Sequence, residues 1–249
     1  MNVKSLVPNA LTMGNLLGGT YVCWTAASGG DLTSGVVAVV WLGAMILDLL
    51  DGLVARWLNV DGVMGLQLDS LADLVTGGMA PAFVAYSIIH ESGARDSVIM
   101  LTPWLILMAA AYRLARFNAD SLNKDEESGF FKGLPAPAAG LYWLGVMMWR
   151  SELGGAADMN VNFELQALAL VAGLGLTALP LLMVSRVKML SMKTWGKDQK
   201  TDRIRFVFIA VCGIVFIATW FAWVNVFAAV PLCVLLYSCF ALVVAPKQK

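Results

Sequence analysis

The chain has 249 residues, of which 59% are hydrophobic and 14% charged, with a mean hydropathy of +0.74. A soluble domain carries roughly 25% charged residues, so polar surface this scarce cannot cover a compact water-soluble fold. A soluble enzyme, a disordered chain and a free nucleic-acid binder are excluded, and an integral membrane protein is left. The 17 basic and 17 acidic residues cancel, so the information lies in where the charges stand.

A helix crossing ~30 Å of hydrocarbon needs about 20 mainly apolar residues. Eight stretches qualify: about 12–27, 35–58, 66–89, 97–118, 134–151, 164–185, 204–223 and 226–245. Turn chemistry separates them: Ser28-Gly29-Gly30-Asp31, residues 59–62 and 91–96, the polar run 121–129, Gly154-Gly155 and residues 193–202. The last boundary rests on Asn225. Pro8-Asn9 and Thr12 interrupt the first apolar run, so residues 1–11 read as a short interfacial segment rather than a cleaved leader. The expected fold class is all-α, a polytopic membrane bundle of about eight transmembrane helices in a single domain, 1–249. Of the 17 lysines and arginines, only Arg95 and Arg150 fall on the side opposite the N-terminus. The positive-inside rule then puts both termini on the cytoplasmic side of the cell (inner) membrane.

Aspartate inside a membrane costs on the order of 2.5–3.5 kcal/mol, yet Asp48 and Asp51 end the second span, and Asp69 and Asp73 begin the third. The first pair is spaced i,i+3 and the second i,i+4, so each shares a helix face. The short connection makes the two helices antiparallel neighbours whose acidic faces can converge. Converging carboxylates need protons, divalent cations or arginine partners; Arg56, Arg113 and Arg116 are the candidates for pairing. Oxygen-only ligands favour magnesium, manganese or calcium over zinc, and a metal site is the favoured reading. Gly52, Ala55 and Gly65 keep the neighbouring helix surface low, and Arg56 offers a fork suited to phosphate.

Residues 48–73 read Asp48-x-x-Asp51-Gly52-x-x-Ala55-Arg56, then eight residues, then Gly65-x-x-x-Asp69-x-x-x-Asp73. This resembles the complete signature of the CDP-alcohol phosphatidyltransferases. The resemblance implies that Asp48, Asp51, Asp69 and Asp73 bind two divalent cations, magnesium or manganese, and that Asp73 is the general base. It also implies that Gly52, Ala55, Arg56 and Gly65 line the site for the cytidine-diphosphate donor. Homodimers are common in the family, so a homodimer is implied as well. Pro8-Asn9-Ala10-Leu11-Thr12-x-x-Asn15 is similar to the family's entry segment, where Asn15 either bonds the donor CDP-diacylglycerol or caps the first span.

Two further segments are similar to the phosphatidylserine synthase branch: Tyr112-Arg113-Leu114-Ala115-Arg116-Phe117-Asn118, ending the fourth span, and Phe131-Lys132-Gly133-Leu134-Pro135-Ala136-Pro137-Ala138, opening the fifth. The acceptor implied is L-serine, giving phosphatidylserine and CMP. Its carboxylate needs a cation, for which Arg113, Arg116 and Lys132 are candidates. Positive-inside anchoring is the plain alternative for the two arginines. Other acceptors (glycerol phosphate, an inositol compound, choline) fit the same chemistry, and a cation-coupled transporter is the remaining class.

Other residues carry less. His90 lies at the opposite end of the third span from the aspartates. Trp104, Trp143 and Trp223 read as interface anchors or lipid-facing packing. The basic run 188–200 suits anionic lipid, and Asp125-Glu126-Glu127 a solvated loop. The four cysteines read as small core residues in lipid.

Overall fold

The computed structural model describes residues 3–60, 62–93, 95–122, 130–153, 161–190, 199–221 and 225–244. Most of them are helical, since hydrocarbon offers no partner to an open backbone. Helix α1 (Leu6–Ala27) follows a 3-10 turn at Val3–Ser5. Pro8 stands in its first turn, where an amide would be unpaired in any case. The helix therefore begins at Leu6 and takes in Pro8 and Asn9, ahead of the expected start of the first span at residue 12.

Helix α2 (Gly35–Leu58) is capped by Ser34, whose hydroxyl accepts from the Val36 amide at 3.3 Å. It stops at Asn59, which has φ +50° and whose amide donates to the Arg56 carbonyl at 3.2 Å. The third predicted span is one apolar stretch in two pieces, α3 (Val63–Leu74) and α4 (Ala80–Glu91), joined by a π-helical turn at Val75–Met79. Pro81 has no amide to return to the Gly77 carbonyl, and the wide turn sits just before it. Thr102-Pro103 likewise breaks the fourth span into α5 (Ser97–Leu101) and α6 (Trp104–Leu122).

Helix α7 (Ala136–Leu153) is the centre of the bundle. It buries Ala139, Tyr142, Trp143, Val146, Met147 and Trp149, so its apolar surface runs all round the helix. Trp143 corrects the sequence reading: it is 1% exposed and packs edge-on to Tyr142 in the core rather than at an interface. Trp104 is half-buried against Phe83, and Trp223 lies outside the described residues. Helices α8 (Val161–Val184), α9 (Gln199–Phe221) and α10 (Ala229–Val244) follow. Asn225 does mark the final boundary: its side chain accepts from the Phe227 amide at 2.9 Å and opens a 3-10 turn, Val226–Ala228.

One element departs from the all-α expectation. Strand β1 (Phe130–Lys132) pairs antiparallel with β2 (Lys188–Leu190), Phe131 opposite Met189. The chain turns from β1 into α7 through Gly133, at φ +80°, where a Cβ would stand 2.5 Å from the Met183 carbonyl oxygen. Only glycine fits that backbone and that space. The acidic loop at 125–127, Gly154-Gly155 and Lys193 fall outside the described residues.

Among the described residues, five stretches are long and apolar enough to cross a membrane: Gly35–Leu58, Val63–Glu91, Ser97–Asp120, Phe163–Val184 and Asp202–Phe221. The protein is a membrane helical bundle. Helices α1 and α2 lie closest, with Gly18 against Ala44, because small residues let helix backbones approach.

Candidate active site

The last turns of α2 and the middle of α3 bring three acids together. One carboxylate oxygen from each of Asp48, Asp51 and Asp69 lies within 4.8 Å of the others. Asp51 is buried, while Asp48 and Asp69 are half-buried. Three hard oxygen donors at this separation fit a divalent cation of the magnesium or manganese type. Asp73, one turn beyond Asp69, lies outside this trio but lines the same cavity.

Neutral groups of α1, backed by the π turn, orient two of the trio, Asp48 and Asp51. Asn15, fully buried, donates from Nδ2 to Asp48 Oδ1 at 3.0 Å. Its Oδ1 accepts from the Thr76 hydroxyl at 2.6 Å, and the Thr76 carbonyl accepts from Trp41 Nε1 at 3.1 Å. The Thr12 hydroxyl bonds the Asp51 carboxylate. Asn15 thus caps no helix; it orients a carboxylate without cancelling its charge, as the outer partners of metal ligands do. Thr12, Trp41 and Thr76 carry no functional role in the sequence reading. Their signal is faint: hydroxyls inside apolar spans, and the small run Thr76-Gly77-Gly78.

The acids open on a cavity of about 660 Å³. Gly52 and Arg56 line it as well. A Cβ on Gly52 would meet nothing within 4 Å, so this glycine leaves space, and Arg56 Nε donates to the Gly52 carbonyl at 2.9 Å. Ala55 and Gly65 are not among the lining residues; Gly65 instead faces Asn9, whose Oδ1 would lie 3.9 Å from a Cβ there. Much of the remaining lining is apolar, with Phe208 and Phe216 of α9 and Val230 and Val234 of α10.

The two arginines of α6 part company. Arg113 is 7% exposed and lines the cavity, its guanidinium 5.7 Å from the Phe117 ring centre. Arg116 points to the end of α8. It donates to the carbonyls of Val184 at 2.9 Å, Ser185 at 2.9 Å and Lys132 at 3.0 Å, clamping α8 to β1. Lys132 lies outside the cavity lining and pairs with Asp120 at 3.0 Å. Of the three cations read as acceptor candidates, Arg113 is the one that lines the cavity the acids also line. Beside Asp69, Ser70 donates to Asn118 Oδ1 at 3.0 Å and ties α3 to α6.

The family profile described as CDP-alcohol phosphatidyltransferase matches residues 5–179, from the turn before α1 into α8. The chain belongs to this family. Membership sets the transporter alternative aside. Three curated relatives are each named CDP-diacylglycerol–serine O-phosphatidyltransferase. That of Mycobacterium leprae is 34% identical over 154 residues, 61% of this chain and 48% of its own length. That of Helicobacter pylori is 36% identical over 141 residues, 56% of each chain. That of Bacillus subtilis is 34% identical over 145 residues, 54% of this chain and 71% of its own. The chain thus spans about half the length of the first two relatives. In CDP-alcohol phosphatidyltransferase terms, the whole acidic site lies inside the matched module, whereas β2, α9 and α10 lie beyond it.

Proposed function

We propose that the protein transfers a phosphatidyl group from CDP-diacylglycerol to L-serine, releasing CMP. One observation carries this reading: a trio of carboxylates in the wall of a large cavity whose remaining lining is mostly apolar. A donor with a charged diphosphate and a diacylglycerol tail matches that polarity. The names of the relatives support serine as the acceptor.

Each residue has a place in this reading. Asp48, Asp51 and Asp69, with Asp73 beside them, hold one or two divalent cations, magnesium or manganese, with calcium admissible. A bound cation would spread the charge that develops on the transferred phosphate. Asn15 and Thr12 keep the ligating oxygens aimed. Arg56, at the rim, meets the diphosphate, and Gly52 leaves it room; Ala55 and Gly65 flank this surface. Asp73 takes the proton from the serine hydroxyl. The serine oxygen then forms its bond to the lipid-side phosphorus as the phosphoanhydride bond to CMP breaks. Arg113 receives the serine carboxylate with two parallel bonds.

Helices α1, α7 and α10 complete eight spans around the five apolar stretches. The one-sided basic residues support an active site, and both termini, on the cytoplasmic face of the cell membrane. A homodimer belongs to the same reading, carried by family resemblance.

The test is product identity. Pure protein is given CDP-diacylglycerol and manganese or magnesium with serine, glycerol 3-phosphate, inositol phosphate or choline, and the lipid is identified by mass spectrometry. Phosphatidylserine from the serine reaction is expected. Product only with another alcohol overturns serine as acceptor.

A further inference from the structure

Close glycine contacts seat the π turn among three helices. A Cβ on Gly19 of α1 would stand 2.7 Å from the Thr76 hydroxyl oxygen and 3.1 Å from the Thr76 Cα. A Cβ on Gly77 would stand 2.7 Å from the Ala136 carbonyl oxygen at the start of α7. One on Gly140, also of α7, would lie 3.4 Å from the Thr76 carbonyl oxygen, and that carbonyl accepts from Trp41 Nε1 of α2 at 3.1 Å. Thr76, buried at 3% exposure, is therefore located from α1, α2 and α7 at once. It lines a small cavity together with Asn15, Asp48 and Asp73, but it is not among the residues that line the large one. Whatever it does for the reaction, it does through another side chain.

That side chain is Asn15. A carboxylate only accepts hydrogen bonds, so Asn15 has to turn its NH2 end to Asp48 and its oxygen end away. An amide oxygen buried in this way is stable only with a donor beside it. The Thr76 hydroxyl is 2.6 Å from Asn15 Oδ1 and 3.4 Å from the Asn15 main-chain oxygen, and it donates toward both. An Asn15 amide that loses this donor gains by rotating toward another partner, and in rotating it gives up Asp48.

We propose that Thr76 is a positioning residue for the metal site: its hydroxyl fixes the Asn15 amide, and through it the Asp48 oxygen. The packing of α1, α2 and α7 around the π turn then sets how tightly the site holds its cation. This rests on the reading of Asp48 as a metal ligand.

The experiment uses the 249-residue chain in lipid nanodiscs. Manganese binding is measured directly, by loss of the free-ion EPR signal, beside the thermal midpoint of the metal-free protein. Thr76→Val keeps the shape and removes the hydroxyl. It is expected to weaken manganese binding about tenfold, the lower end of what losing an outer partner of a metal ligand costs. Thr76→Ser restores the hydroxyl and should bind close to the unaltered protein. Gly19→Ala leaves the hydroxyl in the sequence but crowds it, and should weaken binding in the same direction. In an Asn15→Ala background Thr76→Val should add little, because both changes act along one chain of bonds. A role in packing alone would lower the thermal midpoint of Thr76→Val and leave its manganese affinity unchanged. That unchanged affinity overturns the proposal, as does a Thr76→Ser protein that binds as weakly as Thr76→Val, or full additivity with Asn15→Ala. Should Thr76→Val not fold, the manganese affinity of Gly19→Ala decides in its place. If the unaltered protein binds no manganese, the metal reading itself has failed and this inference falls with it; that outcome is visible in the unaltered protein alone.

Discussion

Asn15 and Asp48, 33 residues apart in sequence, are joined by a 3.0 Å hydrogen bond from a buried amide to a carboxylate oxygen. An arginine there would neutralise the acid and compete with any cation. A neutral donor fixes the oxygen and leaves its charge available. Asn15→Ala is expected to weaken the apparent affinity for manganese about 10- to 100-fold, while the protein still inserts and folds. The check is activity against free manganese concentration; an unchanged midpoint contradicts the orienting role.

Asp73 stands apart from the trio while facing the same cavity, as a proton acceptor needs to. Asp73→Asn should still bind CDP-diacylglycerol in the presence of metal, with single-turnover transfer slowed about 10²- to 10⁴-fold. Near-normal transfer would remove Asp73 from the role of base.

Arg116 holds three carbonyl oxygens at 2.9–3.0 Å. Arg116→Lys keeps the charge but cannot reach them all, so the end of α8 loosens from β1. A loss of about 1–3 kcal/mol is expected, read as a lower thermal midpoint, with the KM for serine little changed. Arg113→Lys should do the reverse, raising the serine KM with a small effect on the midpoint. Exchanged outcomes would reassign the two residues.

Gly133 combines φ +80° with a Met183 carbonyl oxygen 2.5 Å from where a Cβ would stand. Gly133→Ala must shift backbone on one side or the other, at a cost of about 1–3 kcal/mol. Thermal unfolding in detergent measures it, and a stability equal to the unaltered protein would show that the turn can relax.

Much of this architecture is legible in the amino-acid sequence. Hydropathy finds the five long apolar stretches, because lipid enforces length and continuity, and the i,i+3 spacing of Asp48 and Asp51 with a short connector to Asp69 is enough to bring those three together. What escapes the sequence is direction. Gly65 lies four residues before Asp69, yet faces Asn9 instead of the cavity. Arg113 and Arg116 are three apart on one helix, yet Arg113 lines the cavity while Arg116 holds a carbonyl cluster that forms where the end of α8 meets β1, segments far apart in sequence. Trp143 looks like an anchor because its helix is read alone; packed on all sides, the same residue is core. Thr76 is brought to Asn15 by a π turn that no periodicity announces.

Serine incorporation into lipid, followed with labelled serine and CDP-diacylglycerol as free manganese or magnesium is raised from chelator-buffered zero, tests the trio most directly when run beside Asp51→Asn. The expected result is no transfer without metal, a saturable rise on adding it, and activity in Asp51→Asn that stays low or needs far more metal while the fold is intact. Full transfer in excess chelator, or an Asp51→Asn protein with an unaltered metal curve, would contradict a metal-assisted phosphatidyl transfer at Asp48, Asp51 and Asp69.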